Sequence, residues 1–177
     1  MNELSFPVLY LSLLVALLTT AAFFLVRQVL KTRRVETRLN ELQSKLSKEK
    51  GAAQDHYELG SILLEKRLYS QAIARFQKAL KSKDLAGEDN TALIYNALGY
   101  AYAAQEQFDL AIRYYKDALD QQPGYVVALN NLGFSYEKKQ LITQAIESYD
   151  KVLAVEPNNT VAKRRVESLR KRMVPSS

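Results

Sequence analysis

Residues 92–119 read ALIYNALGYAYAAQEQFDLAIRYYKDAL. Two other stretches follow the same pattern: AQDHYELGSILLEKRLYSQAIARFQKAL at 53–80 and VVALNNLGFSYEKKQLITQAIESYDKVL at 126–153. Gly60, Gly99 and Gly133 coincide, preceded by Leu59, Leu98 and Leu132. Twelve residues beyond each glycine stands Ala72, Ala111 or Ala145, and four further on Phe76, Tyr115 or Tyr149. Ala79, Ala118 and Val152 close the pattern. The last two units are 34 residues apart and the first two 39, which leaves about five extra residues in SKDLAGEDN, residues 82–90. Pro123 and Pro157 occupy the turn after the second and third units, where the first has Asp84.

This pattern resembles the tetratricopeptide repeat, a helix–turn–helix of about 34 residues with small and aromatic residues at fixed places. The small residues let the two helices of a unit approach, and the aromatics fill the gap to the next. No unit buries its apolar face alone, so stacking supplies the core. The expected architecture is all-α: an N-terminal transmembrane helix (5–26), a basic helical stem (27–51), three repeats (53–86, 92–125 and 126–159) and a C-terminal capping helix with its tail (160–177). In TVAKRRVESLRKRM the stripe Ala162, Val166, Leu169 and Met173 would pack inward, leaving a basic outer face that reads as a solvated cap.

Leu4 to Val26 carries no charge, and roughly 20 helical residues cross a hydrocarbon core of about 30 Å. Pro7 falls in the first turn, where its missing N–H does least harm. Thr19 and Thr20 are tolerable because their hydroxyls can bond back to the preceding turn. A cleaved signal peptide fits less well: no Lys or Arg precedes the run, the run exceeds the usual 7–15 residues, and the cations follow it. Arg27, Lys31, Arg33 and Arg34 would hold their flank on the side of synthesis, facing the cytoplasm or stroma, with the N-terminus lumenal. They also stand where anionic headgroups would meet them. Val35, Leu39, Leu42 and Leu46 form a narrow seam that suits either a homodimer through the stem or packing on the chain's own globular part. Gly51 is the expected stop.

The chain's net charge of +6 is uneven. Residues 27–50 and 160–177 are each net +5, whereas residues 51–159 are net −3. Two basic segments therefore flank an acidic body, and nucleic acid is a poor partner for it. With no Cys there are no disulfides or thiolate chemistry. The single His56 stands in a packing position. No phosphate-cradling Gly-rich loop and no His pair at ligand spacing occurs, so the sequence points to no enzyme, no cofactor and no metal.

In proteins with this repeat the inner groove is lined mainly by the first helix of each unit. The resemblance implies Gln54, Tyr57, Ser61 and Leu64 from the first unit, Leu93, Asn96, Tyr100 and Ala103 from the second, and Val127, Asn130, Phe134 and Glu137 from the third. Family members that bind chaperone C-termini use a clamp of Lys, Asn and Arg. The matching positions here hold Tyr57, Ser61, Ala97, Val127 and Asn131, so docking by that clamp is not expected.

Taken whole, an apolar span, the stem RQVLKTRRVETRLNELQSKLSKEKGAAQDHYELGSI and three repeats resemble the photosystem I assembly factors of cyanobacteria and plastids. That resemblance implies a thylakoid-bound, protein-binding scaffold that helps photosystem I subunits assemble. The alternative is an anchored adaptor for another process, such as envelope biogenesis or organelle division.

Overall fold

A computed structural model of the chain describes residues 5–49, 51–85 and 87–173. Lys50 of the expected stem, Ala86 of the first repeat and the tail after Met173 lie outside the described residues. The described chain is entirely helical and divides into two compact units, residues 1–45 and 46–177.

The first unit is most of one helix, α1 (Ser5–Lys48), which has no break between the apolar run and the stem. It is long and apolar enough to cross a membrane, with a mean hydropathy of 2.4 in its most apolar window. Its large apolar side chains from Val8 to Leu30 are exposed. Within the run the aliphatic hydroxyls of Ser12, Thr19 and Thr20 are satisfied by the helix itself: Ser12 donates to the Leu9 carbonyl (2.8 Å), Thr19 to Val15 (2.9 Å) and Thr20 to Ala16 (2.7 Å). A polar atom that has already used its donor in this way costs little in hydrocarbon. Arg27, Lys31, Arg33 and Arg34 are all exposed. Gly51, with φ +61°, follows the helix end in the left-handed conformation that only glycine adopts freely.

The second unit holds the repeats as three helix pairs: α2 (Ala53–Glu65) with α3 (Tyr69–Leu80), α4 (Glu88–Ala103) with α5 (Phe108–Gln121), and α6 (Val126–Lys138) with α7 (Ile142–Val155). In each pair the glycine of the first helix lies under the aromatic ring of the second. A Cβ added at Gly60, Gly99 or Gly133 would come within 2.6, 2.6 and 2.8 Å of the rings of Phe76, Tyr115 and Tyr149. Phe76, Tyr115 and Tyr149 are buried, together with Ala72, Ala79, Ala111, Ala118, Ala145 and Val152. His56 is buried as well.

Each first helix ends in the same way. Arg67, Glu106 and Gln140 adopt φ near +60° although none is glycine. The following N–H then reaches back five residues, Leu68 to Leu63, Gln107 to Tyr102 and Leu141 to Tyr136, at 2.9–3.0 Å. This is the Schellman pattern, and it satisfies carbonyls the helix end would leave bare.

The second repeat differs at its start. α4 begins at Glu88, four residues before position 92, so much of the insertion in SKDLAGEDN is taken up as an extra turn of helix. The turn is stitched by the Thr91 hydroxyl donating to the Gly87 carbonyl (3.1 Å).

The stack is closed by α8 (Thr160–Met173), whose first turn is capped by the Asn159 side chain accepting from the Ala162 N–H (3.0 Å). Ala162, Val166 and Leu169 are buried, whereas Met173, at the last turn, is exposed. Three of the helix's cations return to the repeat body: Arg165 to Glu137 (3.5 Å), Arg170 to Asp150 (3.2 Å) and Arg172 to Gln140 (3.2 Å). Part of the basic face thus pins the cap to the third repeat.

Because the Gly99–Tyr115 approach leaves no room for a methyl, Gly99→Ala should lower unfolding stability by about 1–3 kcal/mol. In the Tyr115→Leu background the cost of the same change should shrink, since the two share one contact. Denaturant titrations of the four proteins give the coupling directly.

Candidate functional site

Six of the twelve residues expected to line a groove border two recesses on the first helices of the repeats, and Ser61, Leu64, Asn96, Val127, Asn130 and Glu137 border neither of them. One is bounded by Gln54, Tyr57, Leu93 and Ile94, with Asp84, Leu85 and Asn90 as its outer wall. The insertion and the extra turn of α4 build that wall. The Asp84 carboxylate accepts from the Ala53 N–H at 3.1 and 3.2 Å, and Asp55 accepts from the Ala52 N–H at 3.0 Å. Two acidic side chains thus cap a helix start that has no capping hydroxyl of its own. Asp84 stands where the other repeats have proline, and the structure gives it this structural task.

The second recess lies between α4 and α6 and is bounded by Tyr100, Ala103, Asn131, Phe134 and Lys138, with Glu106 at its edge. Asn131 Nδ2 donates to Asn96 Oδ1 at 3.1 Å, a bond 35 residues apart in sequence that joins the two helices. The Lys138 ammonium stands 5.4 Å from the centre of the Phe134 ring, close enough for a cation–π contact.

Four of the expected lining residues keep large apolar surface in contact with solvent: Leu93 (38% exposed), Tyr100 (51%), Val127 (50%) and Phe134 (39%). Two of the polar ones are engaged with their own helices. Ser61 Oγ donates to the Tyr57 carbonyl (2.9 Å) and Asn130 Nδ2 to the Val126 carbonyl (3.1 Å). Glu137 accepts from the Tyr149 hydroxyl (2.6 Å) while Arg165 holds its other oxygen. The Tyr149 phenol is pushed well above its ordinary range, first by burial and then by the bond to Glu137, so it remains a donor at any physiological pH. Glu137 therefore ties three helices together. Tyr125, which precedes α6, also has a raised phenol, through burial and then through Tyr57.

Tetratricopeptide-repeat family models match residues 52–123 and 126–159. The protein ycf37 of Cyanophora paradoxa is 41% identical over 127 residues, covering 72% of each chain. The chain belongs to the ycf37 family of tetratricopeptide-repeat proteins. The chloroplastic tetratricopeptide repeat domain-containing protein PYG7 of Arabidopsis thaliana is 38% identical over 172 residues, 97% of this chain and 56% of that one. Among solved structures, the first repeat domain of Spaghetti (RPAP3), bound to the HSP90 peptide SRMEEVD, superposes with a TM-score of 0.62 at 21% identity, covering 68% of this chain and 94% of that one. A ycf37 family member with this fold is a protein-interaction scaffold, and such scaffolds are typically non-enzymatic. The chloroplastic relative and the apolar helix point to a plastid or cyanobacterial membrane protein.

Sequence reasoning passed over Asp84, Leu85, Asn90 and Lys138 as lining residues. The position of Lys138, one residue past Glu137 on α6, was the signal available for it. Leu85 and Asn90 come from the insertion, which has no counterpart in the repeat pattern, and Asp84 from the turn where the other repeats have proline. Asp84→Ala should remove the cap on α2 and speed hydrogen exchange of its first turn roughly fivefold, equivalent to about 1 kcal/mol. Asp84→Asn keeps an acceptor and should leave the exchange near wild type.

Proposed function

We propose that this protein is a membrane-anchored scaffold that assists the assembly or stabilisation of photosystem I, with α1 spanning the thylakoid membrane, its N-terminus lumenal and the repeats on the cytoplasmic or stromal side. The observation that carries the reading is the pairing of an exposed apolar helix, followed by Arg27, Lys31, Arg33 and Arg34, with a repeat face on which Leu93, Tyr100, Val127 and Phe134 stay exposed. Cations beyond the span resist translocation, and apolar side chains clustered on one face are the mark of a partner surface. Kinship with ycf37 proteins and with a chloroplastic relative supplies the photosynthetic setting. The site residues of this reading are Gln54, Tyr57, Ser61, Leu93, Asn96, Tyr100, Val127, Asn130, Phe134 and Glu137, with Glu137 acting through the frame it holds.

Two measurements test it. Carbonate washing of thylakoids should leave the protein in the membrane, and protease added from the cytoplasmic or stromal side should remove the repeats but spare an N-terminal tag. Replacing Tyr100 and Phe134 together by alanine should leave the protein's own level unchanged and reduce accumulated photosystem I several-fold relative to photosystem II. Wild-type photosystem I in that variant would remove the groove from the proposal, and a protein released by carbonate would remove the anchor.

A further inference from the structure

The cations that follow the apolar run of α1 do not all face the same way. At about 100° per residue, Lys31 lies about 40° round the helix from Arg27, and Arg34 about 20° round in the other sense. The three therefore share one stripe, which Phe23 continues toward the N-terminus. Arg33 adjoins Arg34 in sequence but stands about 120° away from Arg27. Arg27, Lys31, Arg34 and Gln28 border one shallow recess whose remaining wall is apolar and includes Phe23 and Phe24. Arg33 borders only the next hollow along, where Glu41 stands on the rim and holds Arg38 at 3.4 Å.

No carboxylate borders the first recess. The acids nearest in sequence lie elsewhere: Glu36 is about 180° round the helix from Arg27, and Glu41 about 21 Å further along the axis. Among the described residues Arg27, Lys31 and Arg34 form no hydrogen bond or ion pair. All three are exposed, so their donors are available to a ligand.

Depth decides what that ligand is. With α1 across the bilayer Arg27 sits at the edge of the hydrocarbon, and Lys31 and Arg34 stand about 6 and 10 Å beyond it. The headgroup layer is about 5–8 Å thick on each side. Helical side chains lean toward the N-terminus of their helix, which here is toward the bilayer. Lys31 and Arg34 thus reach back to the layer that Arg27 occupies, as long cationic side chains do at an interface. Phe23 and Phe24, edge to face with ring centres 6.0 Å apart, lie one turn deeper. A ligand that fills both parts has an anion at one end and hydrocarbon at the other. An acidic segment of a protein outside the bilayer would meet the cations and leave the apolar wall uncovered.

We infer that this face of α1 is a site for one anionic glycerolipid, its headgroup oxyanion held by Arg27, Lys31 and Arg34 and an acyl chain lying along Phe23 and Phe24. The two guanidinium groups supply paired N–H donors that suit a tetrahedral oxyanion, and the ammonium adds a point charge. Arg33 keeps its part in orienting the span and takes none in this site. The inference rests on the reading of α1 as a membrane span and adds a bound lipid to it.

The test is native mass spectrometry of the full chain ejected from nanodiscs of equal parts phosphatidylcholine and phosphatidylglycerol, with the retained lipids identified by mass. Wild type should retain one phosphatidylglycerol at least tenfold more often than phosphatidylcholine. Arg34→Gln should lower that preference about fivefold, the effect of one cation near an anionic headgroup, and Arg27→Gln/Arg34→Gln should abolish it. Arg33→Gln removes the same charge one residue away, but across a helix about 10 Å wide and beyond a Debye length of about 8 Å. It should change the preference less than twofold. Millimolar inorganic phosphate should not displace the lipid. Equal losses in Arg33→Gln and Arg34→Gln would reduce the effect to diffuse surface charge and overturn the site. Equal retention of the two lipids, or displacement by phosphate, would overturn it too, and each of these results leaves the anchor intact. A chain that does not enter nanodiscs would overturn the anchor and the lipid site together.

Discussion

Everything else in the repeat body depends on one short approach: a glycine on the first helix of each unit lying under an aromatic ring on the second. At Gly60, Gly99 and Gly133 the ring atoms occupy the space a Cβ would need. The ring is thereby held close against the first helix. Protein interiors tolerate few voids, so a fixed ring also fixes what packs on its other side. Along the stack Tyr115 and Tyr149 share one buried cluster with Leu129 and Leu132 of the third unit and Ala162, Val166 and Leu169 of the cap. The repetition of one contact therefore sets both the pairing within a unit and the step to the next. It also explains why Tyr serves as well as Phe at this place. The Tyr149 hydroxyl is used to hold Glu137, and through Arg165 that bond reaches the capping helix.

The ends of the stack are handled by different chemistry. At the C-terminal end α8 buries an apolar stripe and three of its cations clamp side chains of the third repeat. Exposed ion pairs of this kind contribute little singly, so the apolar burial must carry most of the attachment and the charges mainly choose its register. At the other end the first helix of the stack has no side-chain oxygen at its cap position, Ala52. Asp55 and Asp84 supply the acceptors instead, one from within the helix and one from the turn that follows α3. A proline at position 84, as at 123 and 157, could not do this.

The recurrence of glycine, alanine and aromatic residues at a step of 34 was enough to read an all-α stack with three repeats and a cap, because each place in the pattern answers to a local steric demand. The partial exposure of Leu93, Tyr100, Val127 and Phe134 follows for the same reason, since they sit at positions the packing uses only in part. Less legible were the roles of polar residues. Asn96, Glu137 and Asp84 bond to partners 35, 12 or 28, and 31 residues away. Such pairings depend on side-chain reach in the folded stack, and a repeat pattern carries no trace of them. The insertion was visible as extra length but not as an added turn of α4, since a short polar stretch between helices reads equally as loop or helix start.

The polar pairings also bear on how firmly such a groove can hold a ligand. A binding face built from free charges gains strength from desolvated ion pairs and loses partners slowly. On this face Glu137 is paired with Arg165 and Asn131 with Asn96, and four partly exposed apolar side chains make up much of what a ligand would meet. Burial of a few side chains of that size gives modest binding once the loss of ligand freedom is subtracted. Modest binding is sufficient for a scaffold confined to the membrane of its partners, because a tether raises the effective concentration of the second contact. It is also required if the scaffold is to release what it has helped to place. On the proposed reading the apolar helix would supply local concentration and the groove selectivity without permanence.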